Sequence, residues 1–463
     1  MRNRVKRIHF VGVGGAGMSG IAEVLLNLDY QVSGSDMTDS ATVAHLREQG
    51  AEVHIGHDAR LVANSDVVVI STAIPADNVE VLAARQAKIP VIPRAEMLGE
   101  LMRFQQGIAV GGTHGKTTTT SLVASVLASG GLDPTFVVGG LVNSVGRNAS
   151  LGRGDYLVAE ADESDASFLH LQPVVAVVTN IDADHMGTYG GDFEALKQTF
   201  VAFLSNLPFY GRAVLCWDDP VVRAVAGSVH KPILTYGTCR EADIRAVDIR
   251  QEGLKTRFRV PGNPDMHVTL ALPGRHNALN ALAAIAVGRY VGIADERIGE
   301  GLSQFKGIGR RFQLKGRFAA RDGEALVVDD YGHHPRELEV TLDAARNAWP
   351  DRRLVVVFQP HRYTRTRDLL DDFSSVLANQ DPLIVTEVYP AGETPIAGAD
   401  GRALCRSIRQ RGKTDPVFVE SLNDLPEVLR SIVRDGDVIM TLGAGDIGRK
   451  AAELVSNDVE GAA

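Results

Sequence analysis

The sequence predicts an α/β fold, and three observations carry that prediction. Short apolar runs recur along the chain without polar alternation, as strands buried on both faces of a parallel sheet must. Glycine-rich turns follow several of these runs and open helical segments, which is the strand-turn-helix unit of parallel α/β domains. The 463 residues, at about 150 per domain, provide for roughly three domains. The architecture expected is a Rossmann-like N-terminal domain, a central P-loop domain with a parallel sheet plus a small antiparallel sheet, and a Rossmann-like C-terminal domain.

The first block opens with the strand Ile8–Val13 and a glycine turn, continues through the strand Val67–Ile70, and ends at Pro90, Pro93 and a helix over Ala95–Arg103. Ile108–Val110 starts a fresh strand, so a boundary is expected near residue 105. The strands Tyr156–Ala159 and Val174–Thr179 belong to the central sheet, while the alternation in Thr256–Val260 and His267–Leu270 reads as an antiparallel ribbon. A helix over Asn277–Tyr290 and a basic, glycine-containing stretch at Lys306–Arg317 put the second boundary near residue 312. The expected domains are therefore 1–105, 106–312 and 313–463. Leu354–Phe358, Leu383–Val385 and Val438–Leu442 supply strands of the third, and the last residues, ending Asn457–Ala463, read as a helix fraying into a tail.

Lys+Arg 48 against Asp+Glu 57 leaves a net charge of −9, which argues against a broad nucleic-acid surface or a polybasic membrane anchor. Anionic ligands must then be met by local clusters. Cys216, Cys239 and Cys405 lie far apart with no CxxC pair, so neither a disulfide framework nor a zinc cluster is indicated. The glycine-broken N-terminus does not read as a signal peptide, and no run of 18 apolar residues occurs. A cytoplasmic protein without nucleic-acid or membrane partners is expected.

Gly12-Val-Gly14-Gly15-Ala16-Gly17 fits G-x-G-x-x-G, in which glycines permit a tight turn and a diphosphate sits at the helix N-terminus beginning near Met18. Asp36, at the end of the next strand, is placed to meet a ribose hydroxyl, so the simplest ligand would be NAD. Gly443-Ala-Gly445-Asp-Ile-Gly448 repeats the pattern, and it reads either as a second diphosphate site or as a tight strand-to-helix turn. The run Gly111-Gly112-Thr113-His114-Gly115-Lys116-Thr117-Thr118 is more specific. Backbone N–H groups of such a loop cradle phosphates, Lys116 neutralises the β and γ groups, and the Thr117 hydroxyl ligates Mg²⁺, which indicates MgATP although Val110 stands where the first glycine of the usual pattern belongs. Glu160 and His185 end neighbouring strands and can converge on that metal, whereas Asp162, Asp165 and Asp182 serve equally well as caps of the turns that follow them.

Two basic stretches supply the remaining local charge: Lys306, Arg310, Arg311, Lys315 and Arg317, and then Arg352, Arg353, Arg362, Arg365 and Arg367. Arg362 and Arg365 follow directly on Leu354–Phe358 and are the better placed.

Taken together, Gly112–Thr118, Glu160-Ala-Asp-Glu-Ser-Asp165, Gly274-Arg-His-Asn277-Ala-Leu-Asn280 and Asp329-Asp-Tyr-Gly-His-His-Pro335 resemble the Mur ligases of peptidoglycan synthesis throughout the chain. The opening Gly12–Gly20 and Gln359-Pro-His-Arg-Tyr-Thr-Arg365 point to the member type that joins L-alanine to UDP-N-acetylmuramate. The resemblance implies that the first domain binds the UDP-sugar rather than NAD, with Gly14, Gly15, Ala16, Gly17 and Met18 at the diphosphate and Asp36, His57, Ser71 and Thr72 near the uridine. It also implies that MgATP lies on Gly112–Thr118, with Thr117, Glu160 and His185 around the metal and Asn277 and Asn280 facing the adenine. The third domain would close over the nucleotide with Asp330, His333 and His334, while His361, Arg362 and Arg365 would meet the muramoyl carboxylate or the incoming alanine. Some family members carry a carbamylated lysine; the nearest candidate here, Lys197, reads as a solvated helix residue.

Such an enzyme first turns a carboxylate, a poor electrophile, into an acyl phosphate, which requires two anions to meet. Lys116, Mg²⁺, Arg311 and Arg362 would lower that repulsion, and His185 or His361 would help deprotonate the amine. A monomer or weak homodimer is expected. The alternatives are a tripeptide-recycling ligase acting on the same nucleotide sugar, a nicotinamide-dependent oxidoreductase using the Gly12 loop, and a catalytically idle P-loop module.

Overall fold

The computed structural model describes residue 1, residues 4–142 and residues 147–455. The expected C-terminal fraying, Asn457–Ala463, lies outside the described residues. Among the described residues the strands form four sheets.

The first sheet contains β1 (Arg7–Val11), β2 (Gln31–Asp36), β3 (Glu52–Ile55), β4 (Val67–Ile70) and β5 (Val91–Pro93) in the order β3-β2-β1-β4-β5, all parallel. Helices α1 (Ala16–Asn27), α2 (Ala41–Glu48), α3 (Val79–Gln86) and α4 (Arg94–Met102) make its connections. Strand order reverses on either side of β1, which puts the ligand crevice at the carboxyl ends of β1, β2 and β4.

The second sheet runs β13-β12-β11-β10-β6-β9-β7-β8. Its strands are β6 (Gln106–Gly111), β7 (Thr135–Val142), β8 (Arg147–Ser150), β9 (Tyr156–Glu160), β10 (Val175–Val178), β11 (Arg212–Cys216), β12 (Ile233–Gly237) and β13 (Ile244–Arg245). All neighbours are parallel except β7 and β8. A three-stranded sheet of β14 (Val247–Glu252), β15 (Lys255–Val260) and β16 (Met266–Leu270) fills the position expected for the ribbon. The fourth sheet is ordered β17-β18-β22-β19-β20-β21, from β17 (Gln313–Ala320), β18 (Gly323–Asp330), β19 (Leu354–Phe358), β20 (Leu383–Thr386), β21 (Val417–Val419) and β22 (Val438–Leu442). Only β17 pairs antiparallel there.

The chain divides into two compact units: Met1–Ile249 with Phe258–Leu270 and Ala278–Lys306, and Arg250–Arg257 with Ala271–Asn277 and Gly307–Ala463. Within the first unit one apolar cluster runs from Ile8, Phe10 and Met97 to Ala109, Leu157, Phe168 and Phe203, and a smaller one gathers Val11, Val62, Val68 and Ala84. Phe168 stacks on Phe203 at 4.8 Å and meets Phe200 edge-on at 5.2 Å. The boundary near residue 105 is therefore spanned by shared core, not by a loose linker. Gly99 of α4 shows how close the approach is, since a Cβ there would lie 2.5 Å from the His170 carbonyl oxygen. In the second unit, apolar residues of the fourth sheet are covered on both faces, by Leu338, Leu342, Phe373 and Leu404 on one side and Leu425, Leu429 and Ile447 on the other. That double cover explains the unbroken apolar strands.

Candidate active site

The P-loop is built by register. Gly111 at the end of β6 lies opposite Val178 of β10, and Val110 lies opposite Glu160 of β9, so three strands end at one level. Val110 is fully buried between its neighbours, which accounts for the apolar residue where the usual motif has glycine. Gly112 has φ +125°, and a Cβ there would sit 2.1 Å from Thr179 Oγ1; Gly115 has φ +82° and caps helix α5 (Lys116–Ser129). Only glycine takes these two positions without strain.

The loop is held by the segment after β10. Asn180 accepts from the His114 N–H at 2.8 Å and donates to the His114 carbonyl at 2.9 Å, where Thr179 Oγ1 also donates at 2.7 Å. The Asp182 N–H donates to Thr113 Oγ1, and the Asp182 carboxylate lies 3.2 Å from His114 Nε2. Thr113 and His114 are thus fixed before any ligand arrives. Thr118 is buried, and Thr117 is half-buried at the start of α5.

Lys116 Nζ donates to the Gly112 and Thr113 carbonyls at 2.8 and 3.1 Å and to Glu163 Oε2 at 2.7 Å. Burial opposes its charge, but Glu163, Asp162 and Glu160 outweigh it and hold the ammonium above the ordinary lysine range. Burial pushes the Glu163 carboxyl up to about 7 against the pull of Lys116, and Asp162 adds to that push. Glu163 Oε1 is buried without a hydrogen-bond partner among the described residues.

Glu160 accepts the Gly139 N–H at 2.8 Å, and His185, with φ 55°, lies 3.6 Å from the Asp184 carboxylate. Asp162 and Asp165 accept from Ser164 and Ser167, as turn caps do. Asn280 accepts from Thr119 Oγ1 and lies against Gly115, so it braces the base of the loop. Asn277 donates to the Pro273 carbonyl and is buried. Lys197 pairs with Glu194 and leans on the Phe193 ring.

At the first sheet, Gly12 turns with φ +78° and Asp36 accepts the Gly14 N–H at 2.8 Å and the Thr38 N–H at 3.0 Å. Asp36 therefore ties the glycine loop to the end of β2. A Cβ on Gly14 would lie 2.9 Å from that carboxylate. Ala16 and Gly17 form the first turn of α1, while the Met18 side chain is in the core and its N–H donates to the Gly15 carbonyl. Ser71 and Thr72 follow β4 directly, half-buried and exposed. His57 Nδ1 lies 2.9 Å from the buried Glu80, which also receives His9 and Ser35.

In the second unit, Asp330 ends β18 and is nearly fully buried; its carboxylate accepts the Phe312 and Gly332 N–H groups. Its hydrogen bonds hold the loop that carries Arg310 and Arg311, whose guanidinium groups stack over Tyr331 at 5.0 and 5.1 Å. His334 caps the helix Pro335–Ala348, and His333 packs on Tyr331 and His361. His361 stacks on Tyr389 at 5.6 Å. Burial, then His333, Arg365, Arg362 and Arg310, push its imidazole down to about 3. Arg362 is exposed with φ 70°, a strained conformation for a non-glycine residue, and Arg365 is buried beside His361. At the second glycine loop, Arg310 donates to the Gly443 and Gly445 carbonyls and Gln359 Oε1 accepts the Ile447 N–H. Gln359 Oε1 takes an N–H that a phosphate would use, and Arg310 ties down the loop's carbonyls, so this loop reads as a tight turn.

Sequence reasoning assigned no role to Glu163, Asn180, Arg94 or Glu80. The signal for Asn180 was its place one residue after a strand's carboxyl end. Glu163 lies inside Glu160-Ala-Asp-Glu-Ser-Asp165, but nothing in its spacing separates it from Glu160.

The family model described as the Mur ligase family catalytic domain matches residues 7–106, the Mur ligase middle domain matches 110–288, and the Mur ligase glutamate ligase domain matches 310–445. The UDP-N-acetylmuramate–L-alanine ligase of Methylococcus capsulatus is 63% identical over 453 residues, 97% of this chain and 96% of that protein. Among solved structures, the UDP-N-acetylmuramate-alanine ligase MurC of Thermotoga maritima superposes with a TM-score of 0.81 at 30% identity, covering 97% of this chain and 98% of that one. A murein peptide ligase of Psychrobacter arcticus shares the fold, with a TM-score of 0.71 at 24% identity over 97% of this chain and all of that one. Agreement along all three blocks makes the assignment: the chain belongs to the Mur ligase family.

Proposed function

We propose that the chain ligates L-alanine to the lactyl carboxylate of UDP-N-acetylmuramate at the expense of ATP, giving UDP-N-acetylmuramoyl-L-alanine, ADP and phosphate for peptidoglycan precursor synthesis. The observation that carries the proposal is the braced P-loop, with Lys116 beside Gly112 and Glu163, in the same unit as the Asp36-tied glycine loop. The nicotinamide alternative leaves the P-loop without a purpose. The tripeptide-ligase alternative is disfavoured by 63% identity over 97% of this chain to an alanine-adding relative. The reading divides the chain into three functional blocks, 1–105 for the UDP-sugar, 106–312 for ATP and 313–463 as the closing domain; the first, second and fourth sheets draw their strands from one block each.

In this reading the diphosphate meets the first turn of α1, and Asp36, His57, Ser71 and Thr72 face the uridine. ATP phosphates replace the loop carbonyls as partners of Lys116. A lactyl carboxylate oxygen attacks the γ-phosphorus, ADP leaves, and the acyl phosphate forms; the alanine nitrogen then attacks the carbonyl carbon, phosphate leaves, and the amine gives up a proton. Lys116, Arg311 and Arg362 offset the charge gathered in these steps. His361 is held neutral by burial and nearby cations, so it is a weak base poorly suited to take up that proton, and its ring offers one N–H donor and one bare nitrogen for hydrogen bonds. Asn277, Asn280, Asp330, His333 and His334 shape the nucleotide's surroundings, Asn280 through the loop it braces.

The oxygen donors fit magnesium: a hydroxyl at Thr117 and a carboxylate at Glu160 in register with the loop strand would hold it, with the His185 imidazole, a nitrogen donor, as the weaker third ligand. Bound there, it would neutralise phosphate charge.

The test is phosphate release with ATP, magnesium and UDP-N-acetylmuramate, offering L-alanine, glycine, L-serine and the tripeptide in turn. Release driven best by L-alanine is expected. Release that no amino acid stimulates, or that only the tripeptide stimulates, overturns the proposal.

A further inference from the structure

We infer that Arg94 is the cation that binds the diphosphate of the nucleotide sugar, an inference that rests on the UDP-sugar reading of the first domain. A diphosphate brings at least two negative charges to a helix N-terminus that offers partial charges only. None of the residues matched to that subsite, Gly14 to Met18, is cationic.

Arg94 is the first residue of α4, directly after β5. Because β5 is parallel to β4 and β1, this start lies at the same carboxyl edge as the Gly12 turn. The guanidinium lies over Gly17, where a Cβ would be 2.6 Å from Nη1 and 3.1 Å from Cδ and Cζ. Gly17 therefore clears space for an arginine as well as for phosphate, and any larger residue there would displace it.

The other described cations of the first domain are placed elsewhere; Arg85 and Lys88 stand at and just beyond the end of α3, and Arg103 caps the end of α4. Arg4, Lys6 and Arg7 stand at or before the amino end of β1, on the opposite edge. Arg47 and Arg60 are tied to Asp39 and Asp58. Arg94 makes no hydrogen bond through its guanidinium to any described residue, and its ion-pair partner, Asp162, stands 3.9 Å away at only a quarter exposure of the arginine. A half-buried guanidinium with its donors uncommitted, beside a phosphate-binding turn, is arranged for a bidentate anion.

The experiment compares dissociation constants of UDP and of uridine for the full chain, for Arg94→Ala and for Arg94→Lys, by calorimetry and ligand-observed NMR. Arg94→Ala should weaken UDP by about tenfold to a hundredfold and leave uridine within about twofold, with Arg94→Lys between wild type and alanine. The salt dependence of UDP binding should become shallower in the alanine variant. Equal loss of UDP and uridine would make Arg94 a structural residue, and unchanged UDP affinity would remove it from the subsite; both overturn the inference while leaving the domain's role standing. A wild-type chain that binds neither compound overturns the domain's role and the inference with it.

Discussion

Lys116 Nζ lies 2.7 Å from Glu163 Oε2, with the lysine side chain 16% exposed and the glutamate 1%. The pair stores the cation at the mouth of the P-loop, because the glutamate and two loop carbonyls together occupy the ammonium's three donors. An incoming phosphate must take over at least one of those bonds. The arrangement keeps Lys116 charged and close to its working position, at the cost of a buried carboxylate.

Lys116→Ala should lower L-alanine-dependent phosphate release by about a thousandfold or more, since the main protein charge at the γ-phosphate is lost. UDP affinity should stay within about twofold, because the first-sheet subsite uses separate residues. Steady-state kinetics and calorimetry on the same preparation check both; a parallel loss of UDP binding would show that the two subsites are not separable.

Glu163 makes a prediction about pH. Burial raises its carboxyl from 4.5 to about 7, so the folded chain holds the proton more tightly than the unfolded one. Its contribution to stability is therefore greatest below about 4.5 and is lost as pH rises through about 7. Denaturant unfolding of wild type and Glu163→Gln across this window should give a difference that moves in the variant's favour as pH rises. Superimposable profiles would mean that the carboxyl titrates normally.

Much of this was legible in the sequence, for physical reasons that also mark its limits. Strands such as Val67–Ile70, Leu354–Phe358 and Val438–Leu442 fall where their apolar runs lie, because a strand covered on both faces has no polar residue to blur its ends. Gly112 and Gly115 were readable because positive φ leaves few other choices. Partnerships across sequence were not readable. Lys116 and Glu163 are 47 residues apart, His114 and Asn180 are 66, and only the parallel register of β6, β9 and β10 brings them together. The second glycine turn resembled the first as text, yet Arg310 and Gln359 fill it from distant segments.

His361 should stay uncharged through the neutral range. Burial and four nearby cationic or imidazole groups lower its imidazole from 6.5 to about 3. Its ring signals in a histidine-labelled sample should not shift between pH about 5 and 8, where ordinary histidines titrate. The same depression makes its contribution to stability full above about 6.5 and progressively lost as pH falls toward about 3, because the unfolded chain takes up the proton first. A midpoint near 6.5 in the spectra would remove His361 as a neutral acceptor.

Gly112→Ala tests the loop's geometry rather than its charge. The added Cβ would meet Thr179 Oγ1 at 2.1 Å and the Asn180 carbonyl at 3.0 Å, at a φ of +125° that alanine rarely adopts. Both neighbours belong to the clasp that fixes Thr113 and His114, so the substitution should cost about 2–4 kcal/mol of stability and abolish detectable ATP binding while Lys116 remains. Thermal unfolding with and without ATP reads both effects; wild-type stabilisation by ATP in the variant would show that the loop tolerates another path.

Glu80 and His57 offer a test at the uridine end. Glu80 is fully buried, and hydrogen bonds from His9, His57 and Ser35 outweigh the burial that opposes its charge, holding its carboxyl below the ordinary range. Its stabilising contribution is therefore present above about 4.5 and lost as pH falls. Ser35 Oγ donates to Glu80 Oε2, which leaves the serine oxygen as an acceptor toward His57 Nδ1 at 3.0 Å, and Glu80 Oε1 is a second acceptor at 2.9 Å. Both neighbours of Nδ1 accept, so Nδ1 carries a proton, and in the uncharged form of the ring Nε2 is the bare acceptor toward a donor such as the uracil imide N–H. Nitrogen-15 spectra of labelled histidine should show the Nδ1-protonated form for His57 in wild type and a mixture in Glu80→Gln. The variant should also lose about 2–4 kcal/mol of stability, because His9, His57 and Ser35 lose a charged partner together. A His57 ring protonated on Nε2 in the wild-type chain would reverse the hydrogen bond that the uridine has to supply.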